Sequence, residues 1–357
     1  MKLNRIVLMF VSLVIVMMMI SAVSANINET DTLKDNTITF TDQLDTSNDG
    51  DTIQLSNGTY TDSDVTINKS LTIIGDYDTT FDGESKNSLF TIKGNSQVTF
   101  KNIKFTNFYK SGNGAVFDIE KSSTVILQNC TFTDNIMAIN NLGHLEIYDS
   151  YFNNNNLVDE YTQGGAISNE GNLYVENSVF VNSNGCTHTN GATIFNNGDL
   201  TINKTTIANA YAKEESKGAA LFNNGKCFML NSIIENNTIE RFNFNYIGGN
   251  VYNQGNLTAV GNIFRNNTGK YVKPNTWYEG SPTIYNVGSY LNLSYNAFIG
   301  NVYFNSISID LFNNGAKYIS LDNNWWGGDD PLATNKVNTG NTVNTWIVLD
   351  ITLNTQH

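Results

Sequence analysis

One recurring segment constrains the fold of this chain more than any other feature. It consists of an apolar residue, any residue, a second apolar residue, and a third apolar residue five positions later, as in Val125-Ile126-Leu127 leading to Phe132. A fixed period of this length is typical of a repeat fold. Successive copies start 20 to 34 residues apart, most of them close to 27, at Val98, Val125, Leu145, Leu173, Leu200, Cys227, Leu257, Leu291 and Ile319.

A second marker, Asn-x-Gly, recurs in step with the first. An apolar pair such as Ile194-Phe195 comes just before most copies. Because both markers keep the same register, chance composition in an Asn-rich chain does not explain them. The copies begin at Asn141, Asn169, Asn196, Asn223, Asn253, Asn286 and Asn313.

The spacing within each unit indicates β-strands. Apolar residues at i and i+2 share one face of a strand, whereas a helix would place them at i, i+3 and i+4. Gly and Asn between the runs tolerate positive φ and therefore mark turns. Each unit then holds three short strands, and we expect an all-β parallel solenoid of about 10 to 12 coils. Stacked Asn side chains can form hydrogen-bond ladders between coils. This chain lacks the Leu-x-x-Leu pattern of leucine-rich repeats, and the repeat unit of a WD40 blade is longer than the unit found here.

The amino-terminal residues are typical of a secretory signal. Lys2 and Arg5 precede an apolar run over residues 6–20, and small residues end at Ala25, so we expect cleavage there. No second apolar run reaches membrane length, and we expect no membrane span after removal of the signal. The predicted location is secreted, extracellular or at the cell surface. The expected organisation is residues 1–25 signal peptide, 26–50 lead-in segment, 51–329 β-helix repeats, and 330–357 capping or linker segment.

The charge balance disfavours nucleic acid as a partner. Loss of Lys2 and Arg5 changes the net charge from −13 to −15, and the only remaining arginines are Arg241 and Arg265. Nucleic-acid affinity depends on neutralising phosphates with Lys and Arg. The three cysteines form no disulfide framework, and whether two of them pair stays open. The sequence does not indicate an oligomeric state.

Several motifs together resemble known surface proteins. Gly164-Gly165-Ala166-Ile167, with the Phe-x-x-Asn motifs, is similar to the repeats of polymorphic outer membrane proteins. The Asn-x-Gly register and the closing Asn323-Asn324-Trp325-Trp326-Gly327 resemble adhesin-like proteins of methanogenic archaea, over roughly residues 45 to 350. This resemblance implies a right-handed, single-stranded parallel β-helix of the pectin-lyase-like kind, residence at the cell surface and an adhesive role.

The main alternative is a β-helical polysaccharide lyase or glycoside hydrolase, because fold does not decide function. Glycoside hydrolysis needs two carboxylates at a defined separation. β-Helical polygalacturonases carry Asp-Asp, Gly-His-Gly and Arg-Ile-Lys signatures. Here Asp329-Asp330 is the one adjacent pair, Gly143-His144 is followed by Leu145, and Arg-Ile-Lys is absent. We therefore predict no catalytic residues. His144 and His188 have no His or Cys at a zinc-like spacing, so we also predict no metal and no cofactor.

The longest interval between coils carries the candidate ligand-binding residues, Tyr271, Trp277 and Tyr278. Excursions from a regular solenoid are common sites of function. Exposed aromatic rings could stack on sugars or contact a protein. The alternative is a loop whose aromatic residues are buried against the flank. For Trp325-Trp326, a hydrophobic cap is the preferred interpretation.

These observations together predict an adhesin-like protein that binds cell-surface glycans, or surface proteins of another cell, without catalysis. The first alternative is a carbohydrate-active lyase or hydrolase. The second is a structural envelope rod with no specific ligand.

Overall fold

The computed structural model describes residues 39–110, 112, 114–241, 248–271, 282–303, 309–328, 331, 336–338 and 340–348. The expected signal peptide therefore lies outside the described residues. The first described element is helix α1, Phe40–Thr46. Every strand that follows pairs in parallel with its counterpart in the neighbouring coil, and the described strands form sheets of eleven, ten, ten and five strands, which we name A, B, C and D.

Each complete coil contributes one strand to sheets A, B and C in turn. Sheet A contains β1 Thr52–Gln54, β4 Leu71–Ile74, β7 Gln97–Lys101, β10 Thr124–Gln128, β13 His144–Tyr148, β16 Asn172–Glu176, β20 Asp199–Asn203, β24 Lys226–Leu230, β28 Asn256–Val260, β32 Tyr290–Ser294 and β36 Tyr318–Ser320. Sheet B contains β2 Gly58–Tyr60, β5 Thr79–Asp82, β8 Lys104–Thr106, β11 Thr131–Thr133, β14 Tyr151–Asn153, β17 Val179–Val181, β21 Thr206–Ala208, β25 Ile233–Glu235, β29 Ile263–Arg265 and β33 Ala297–Ile299.

Sheet C lies between the B strand of one coil and the A strand of the next, and sheet D branches from five of the coils. Sheet C contains β3 Val65–Ile67, β6 Phe90–Ile92, β9 Phe117–Ile119, β12 Ile139–Asn141, β15 Ile167–Asn169, β19 Ile194–Asn196, β23 Leu221–Asn223, β27 Val251–Asn253, β31 Ile284–Asn286 and β35 Leu311–Asn313. Sheet D contains β18 Asn184–Gly185, β22 Tyr211–Ala212, β26 Thr238–Arg241, β30 Thr268–Tyr271 and β34 Val302–Tyr303. The sequence pattern predicted three strands a coil and missed sheet D.

The recurring apolar residues form the interior, as the spacing predicted. Phe132 and Phe152 occupy equivalent positions in sheet B, and their rings stack 4.4 Å apart at 1°. The column ends on Trp326, which is fully buried and stacks 4.5 Å from Phe298. At the other end, Phe40 of α1 is fully buried and contacts the Phe81 ring edge-on at 5.5 Å. Large aromatic side chains thus cover the core at both ends.

The Asn of each Asn-x-Gly motif belongs to a buried ladder. Asn196 is fully buried, accepts a hydrogen bond from Asn169 Nδ2 at 2.7 Å, and donates to Asn223 Oδ1 at 2.7 Å. Amide side chains can donate and accept at once, so one residue type continues the ladder through the stack. This ladder confirms the expected role of Asn. Its members are Asn141, Asn169, Asn196, Asn223, Asn253, Asn286, Asn313 and Asn341.

The glycine of the same motif corrects one expectation from the sequence. Positive φ is found at the Asn-rich corner between sheets A and B, as at Asn102 and Asn129, but not at Gly171 or Gly198. Glycine is required at these positions because the backbone of the neighbouring coil lies too close to leave room for a side chain. A Cβ atom on Gly198 would lie 2.0 Å from the carbonyl oxygen of Gly171, and one on Gly225 would lie 2.0 Å from that of Gly198.

Candidate functional site on the outer face of sheet A

Alternation along two neighbouring strands places polar and aromatic side chains on one outer face. In β13, Leu145 and Ile147 are fully buried, so the side chains of His144, Glu146 and Tyr148 point outward. The same alternation in β16 directs Tyr174 and Glu176 outward.

The register then combines these strands into one group. Glu146 lies opposite Tyr174, and Tyr148 lies opposite Glu176. We call these four residues the carboxylate–tyrosine cluster. Each position is 28 residues from its partner along the chain and becomes a neighbour only through coil stacking.

Hydrogen bonds fix the side chains of this cluster. The Tyr148 hydroxyl donates to Glu146 Oε2 at 2.9 Å, and the Tyr174 hydroxyl donates to Glu176 Oε2 at 2.9 Å. The two rings lie 5.7 Å apart with a tilt of 47°. Asn203 Nδ2, one coil further, donates to Glu176 Oε1 at 2.9 Å. The groups are therefore held in defined orientations on a rigid sheet, which lowers the entropy cost of binding.

The surroundings shift the pKa values of Glu146, Tyr148 and Tyr174. The hydrogen bond from His144, at 2.9 Å, lowers the pKa of Glu146, although burial acts in the opposite direction. Burial raises the pKa of Tyr148 to about 12, and the hydrogen bond to Glu146 adds to the effect. Burial also raises the pKa of Tyr174. Glu146 is thus a carboxylate acceptor, and both tyrosines keep their protons.

Aromatic side chains continue along the same face. Phe228 of β24 is 36% exposed, and Lys226 Nζ lies 4.9 Å from its ring centre. Tyr290 and Tyr318 stack 4.8 Å apart, and Tyr318 is 55% exposed. The outer face of sheet C differs, because its aromatic column is largely covered. Phe195, Phe222, Tyr252 and Tyr285 are each only 6 or 7% exposed.

The residues predicted for ligand binding do not belong to this face. Tyr271 ends β30 of sheet D, opposite Arg241, and its side chain lies outside the description, as do Trp277 and Tyr278. Their assignment as a ligand site remains a prediction. Sequence reasoning missed the cluster, although the outward positions of Leu145-Glu146-Ile147 and Leu173-Tyr174-Val175 carried a readable signal.

The other candidate groups carry less chemistry. Within the described ranges, no group of three or more His, Cys, Asp and Glu side chains is arranged to hold a metal ion. All three cysteines are free, and burial raises the pKa of Cys130 and of Cys227 to about 12, so neither is an activated thiol. In the part of the chain that the structure describes, no helix has the length and apolar character needed to cross a membrane. Asp329-Asp330 lies outside the described residues.

Comparison with known proteins supports the architecture. A family model described as "Right handed beta helix region" matches residues 88–243. The chain is a right-handed parallel β-helix. No curated protein matches it.

Two solved structures are similar to the chain in fold. One is the complex of alginate lyase AlyF-OU02 with G6, at 13% identity and a TM-score of 0.42, and the other is a PL6 alginate lyase complex with trisaccharide, at 13% identity and a TM-score of 0.37. In both comparisons the match covers 86% of this chain and 84% of the other. At this level the likeness concerns the fold alone.

Proposed function

We propose that this protein is an adhesin-like protein of the cell surface that binds glycans, without catalysis, through the outer face of sheet A. The carboxylate–tyrosine cluster carries the proposal. It combines aromatic rings with carboxylate acceptors on a rigid, solvent-facing sheet. Sugars offer apolar ring faces and many hydroxyl groups, and these two features complement aromatic rings and carboxylates. The proposed surface location is supported by the signal-like amino terminus and by the resemblance to adhesin-like proteins.

The carboxylates keep free acceptor capacity. An ionised carboxylate has about four lone-pair sites on its two oxygens. Glu146 accepts two hydrogen bonds, from Tyr148 on Oε2 and from His144 on Oε1, so further lone-pair sites stay open to a ligand hydroxyl. The half-buried position of both glutamates strengthens each such bond relative to water.

The protonation states favour binding over catalysis. General acid–base catalysis works best when the pKa of the group lies near the operating pH. The pKa of Tyr148 is raised to about 12 and that of Glu146 is lowered, so both pKa values lie further from neutral pH than those of the free side chains. A tyrosine that holds its proton donates hydrogen bonds well and abstracts protons poorly.

The test is a polysaccharide retention assay on the purified mature chain. Immobilised glucan, mannan, galactan, xylan, alginate and polygalacturonate are scored for protein retention and for new reducing or unsaturated ends. We expect retention on at least one polysaccharide and no product. Product formation would overturn the proposal in favour of an enzyme. An absence of both would overturn it in favour of a structural protein.

Matched variants locate the site. The double variant Glu146→Gln, Glu176→Gln should weaken retention by about tenfold or more, because hydrogen bonds to charged groups contribute about 1.5–3 kcal/mol each. The control is Glu84→Gln, Glu235→Gln, which removes the same charge from ion pairs with Lys86 and Arg265 away from this face. Equal retention by both double variants would contradict the assignment of the site.

A further inference from the structure

A groove lies in the three coils that precede the cluster, at the corner between sheets A and B. Its volume is about 590 Å³, and Tyr77 beside it is 88% exposed. Such exposure is unusual for a tyrosine and leaves both ring faces accessible to a ligand. The groove is lined by Gly75–Thr79, Asn102–Lys104, Asn129 and Thr131.

The turn that carries Tyr77 is held by hydrogen bonds. The Tyr77 N–H donates to Asp76 Oδ1 at 2.8 Å, and the Asp76 N–H donates to Thr79 Oγ1 at 2.9 Å. The Asp78 N–H donates to Asn57 Oδ1 of the preceding coil at 2.7 Å. A tyrosine presented on a fixed backbone offers contact area at a low entropy cost.

The groove and the carboxylate–tyrosine cluster are continuous along this corner. Asn129 lines the groove, and its N–H donates to the carbonyl oxygen of Tyr148, in the next coil, at 3.1 Å. Strands β4, β7, β10, β13, β16 and β20 are consecutive neighbours in sheet A. The five intervals between β4 and β20, each of about 4.8 Å, give a path of about 24 Å along the solenoid axis. The corner residues repeat at equivalent positions along it: Asn102, Asn129, Asp149, Asn177 and Lys204, all with positive φ.

Charge along the path disfavours an acidic ligand. Carboxylates outnumber lysines there, and the whole chain carries a net charge of −13. A polyuronate would place like charges against these groups, which is unfavourable for association. The carboxylates are those of Asp76, Asp78, Glu146, Asp149 and Glu176, and the lysines are Lys101, Lys104 and Lys204.

We propose that a linear, uncharged polysaccharide lies along this corner, parallel to the solenoid axis, and contacts both Tyr77 and the carboxylate–tyrosine cluster. This inference rests on the proposed function and specifies the class and orientation of its ligand. A chain that spans both ends gains from the second contact without a second association event. Affinity should therefore rise steeply with the length of the oligosaccharide.

Titration calorimetry with fragments of defined length tests the inference. The probes are disaccharide and hexasaccharide fragments of glucan, mannan, galactan and xylan, with hexagalacturonate as the charged counterpart. At least one neutral hexasaccharide should bind at least about tenfold more tightly than its disaccharide and than hexagalacturonate. Tyr77→Ala should weaken that hexasaccharide about fivefold and leave the disaccharide unchanged. The control is Tyr161→Ala, because Tyr161 is also 76% exposed but stacks on His188 in a loop before sheet C.

The outcomes separate this inference from the proposed function. If Tyr77→Ala and Tyr161→Ala bind the hexasaccharide equally well, or if hexagalacturonate binds as tightly as the neutral chains, the axial, uncharged ligand is refuted. The proposed function would still stand if the glutamate double variant weakened retention. If no neutral fragment binds and no polysaccharide is retained, both proposals fail.

Discussion

Replacement of one stacked glycine by alanine should destabilise the solenoid far more than the addition of a single methyl group suggests. A Cβ atom on Gly198 would lie 2.0 Å from the Gly171 carbonyl oxygen. Relief of this overlap needs a local separation of the two coils by about 1 Å, since carbon and oxygen rarely approach closer than about 3 Å. The backbone on both sides is bonded, because the N–H groups of Asp199 and Asn197 donate to Gly171 and Asn169 at 2.9 and 2.7 Å.

The cost follows from these contacts. A shift of about 1 Å lengthens both hydrogen bonds beyond their useful range. Two backbone hydrogen bonds lost at the surface cost about 0.5–1.5 kcal/mol each, and overpacking costs about 1–3 kcal/mol, so Gly198→Ala should destabilise the fold by about 3–4 kcal/mol. Gly328→Ala is the control, because nothing lies within 4 Å of its Cβ position and its φ is not positive. It should change stability by less than about 0.5 kcal/mol.

Urea unfolding followed by circular dichroism measures the difference. A third variant separates the two reasons for a glycine. Gly261→Ala meets a positive φ of 72° and a flexible Asn231 side chain, so its cost should be about 1–2 kcal/mol. If Gly198→Ala unfolds at the same urea concentration as Gly328→Ala, the argument from close approach is wrong.

Three further predictions concern the buried ladder, a buried acid and the cluster. Asn196→Ala should destabilise the fold by about 2–4 kcal/mol in urea unfolding, because it interrupts two buried hydrogen bonds, whereas Asn197→Ala on the exposed neighbour should cost less than about 1 kcal/mol. Burial raises the pKa of Asp310 from 3.8 to about 6. The contribution of Asp310 to the free energy of unfolding is therefore fully present below pH 3.8 and is lost as the pH rises through about 6. The free energy of unfolding should fall by up to about 3 kcal/mol across this window, and Asp310→Asn should abolish the fall. Tyrosinate absorbance should show a transition near pH 12, and Tyr148→Phe should lower its amplitude by one tyrosine, because burial raises the pKa of both Tyr148 and Tyr252 to about 12. Glycan retention should persist somewhat below pH 4.5, because the pKa of Glu146 is lowered and its charge is lost only under more acidic conditions.

The periodic part of the fold was predictable because it is local. Alternation of apolar residues within five-residue strands is set by strand geometry, and the same alternation recurs in every coil. The inward positions of Leu145 and Phe132, and the buried ladder through Asn196, therefore follow from the repeat. Helix α1 was missed, although Thr39 and Asp42 form a capping box that is visible as a short sequence motif.

The candidate site was harder to predict because it depends on coil length. Coils differ by several residues, and an error of one residue in register would turn Tyr174 from the outer face to the core. The observed pairing of Glu146 with Tyr174 and of Tyr148 with Glu176 fixes which groups meet. The predicted residues Tyr271, Trp277 and Tyr278 were chosen from an irregular interval, where no periodicity constrains the position of a side chain.

The amino-acid sequence by itself determined the strands, the apolar interior and the Asn ladder, because each arises from a short pattern repeated at a nearly constant interval. Only the tertiary structure decided why Gly198 must be glycine and which outward residues share the carboxylate–tyrosine cluster. Both depend on distances between residues almost thirty positions apart. Those distances are set by how one coil rests on the next, which no local pattern specifies.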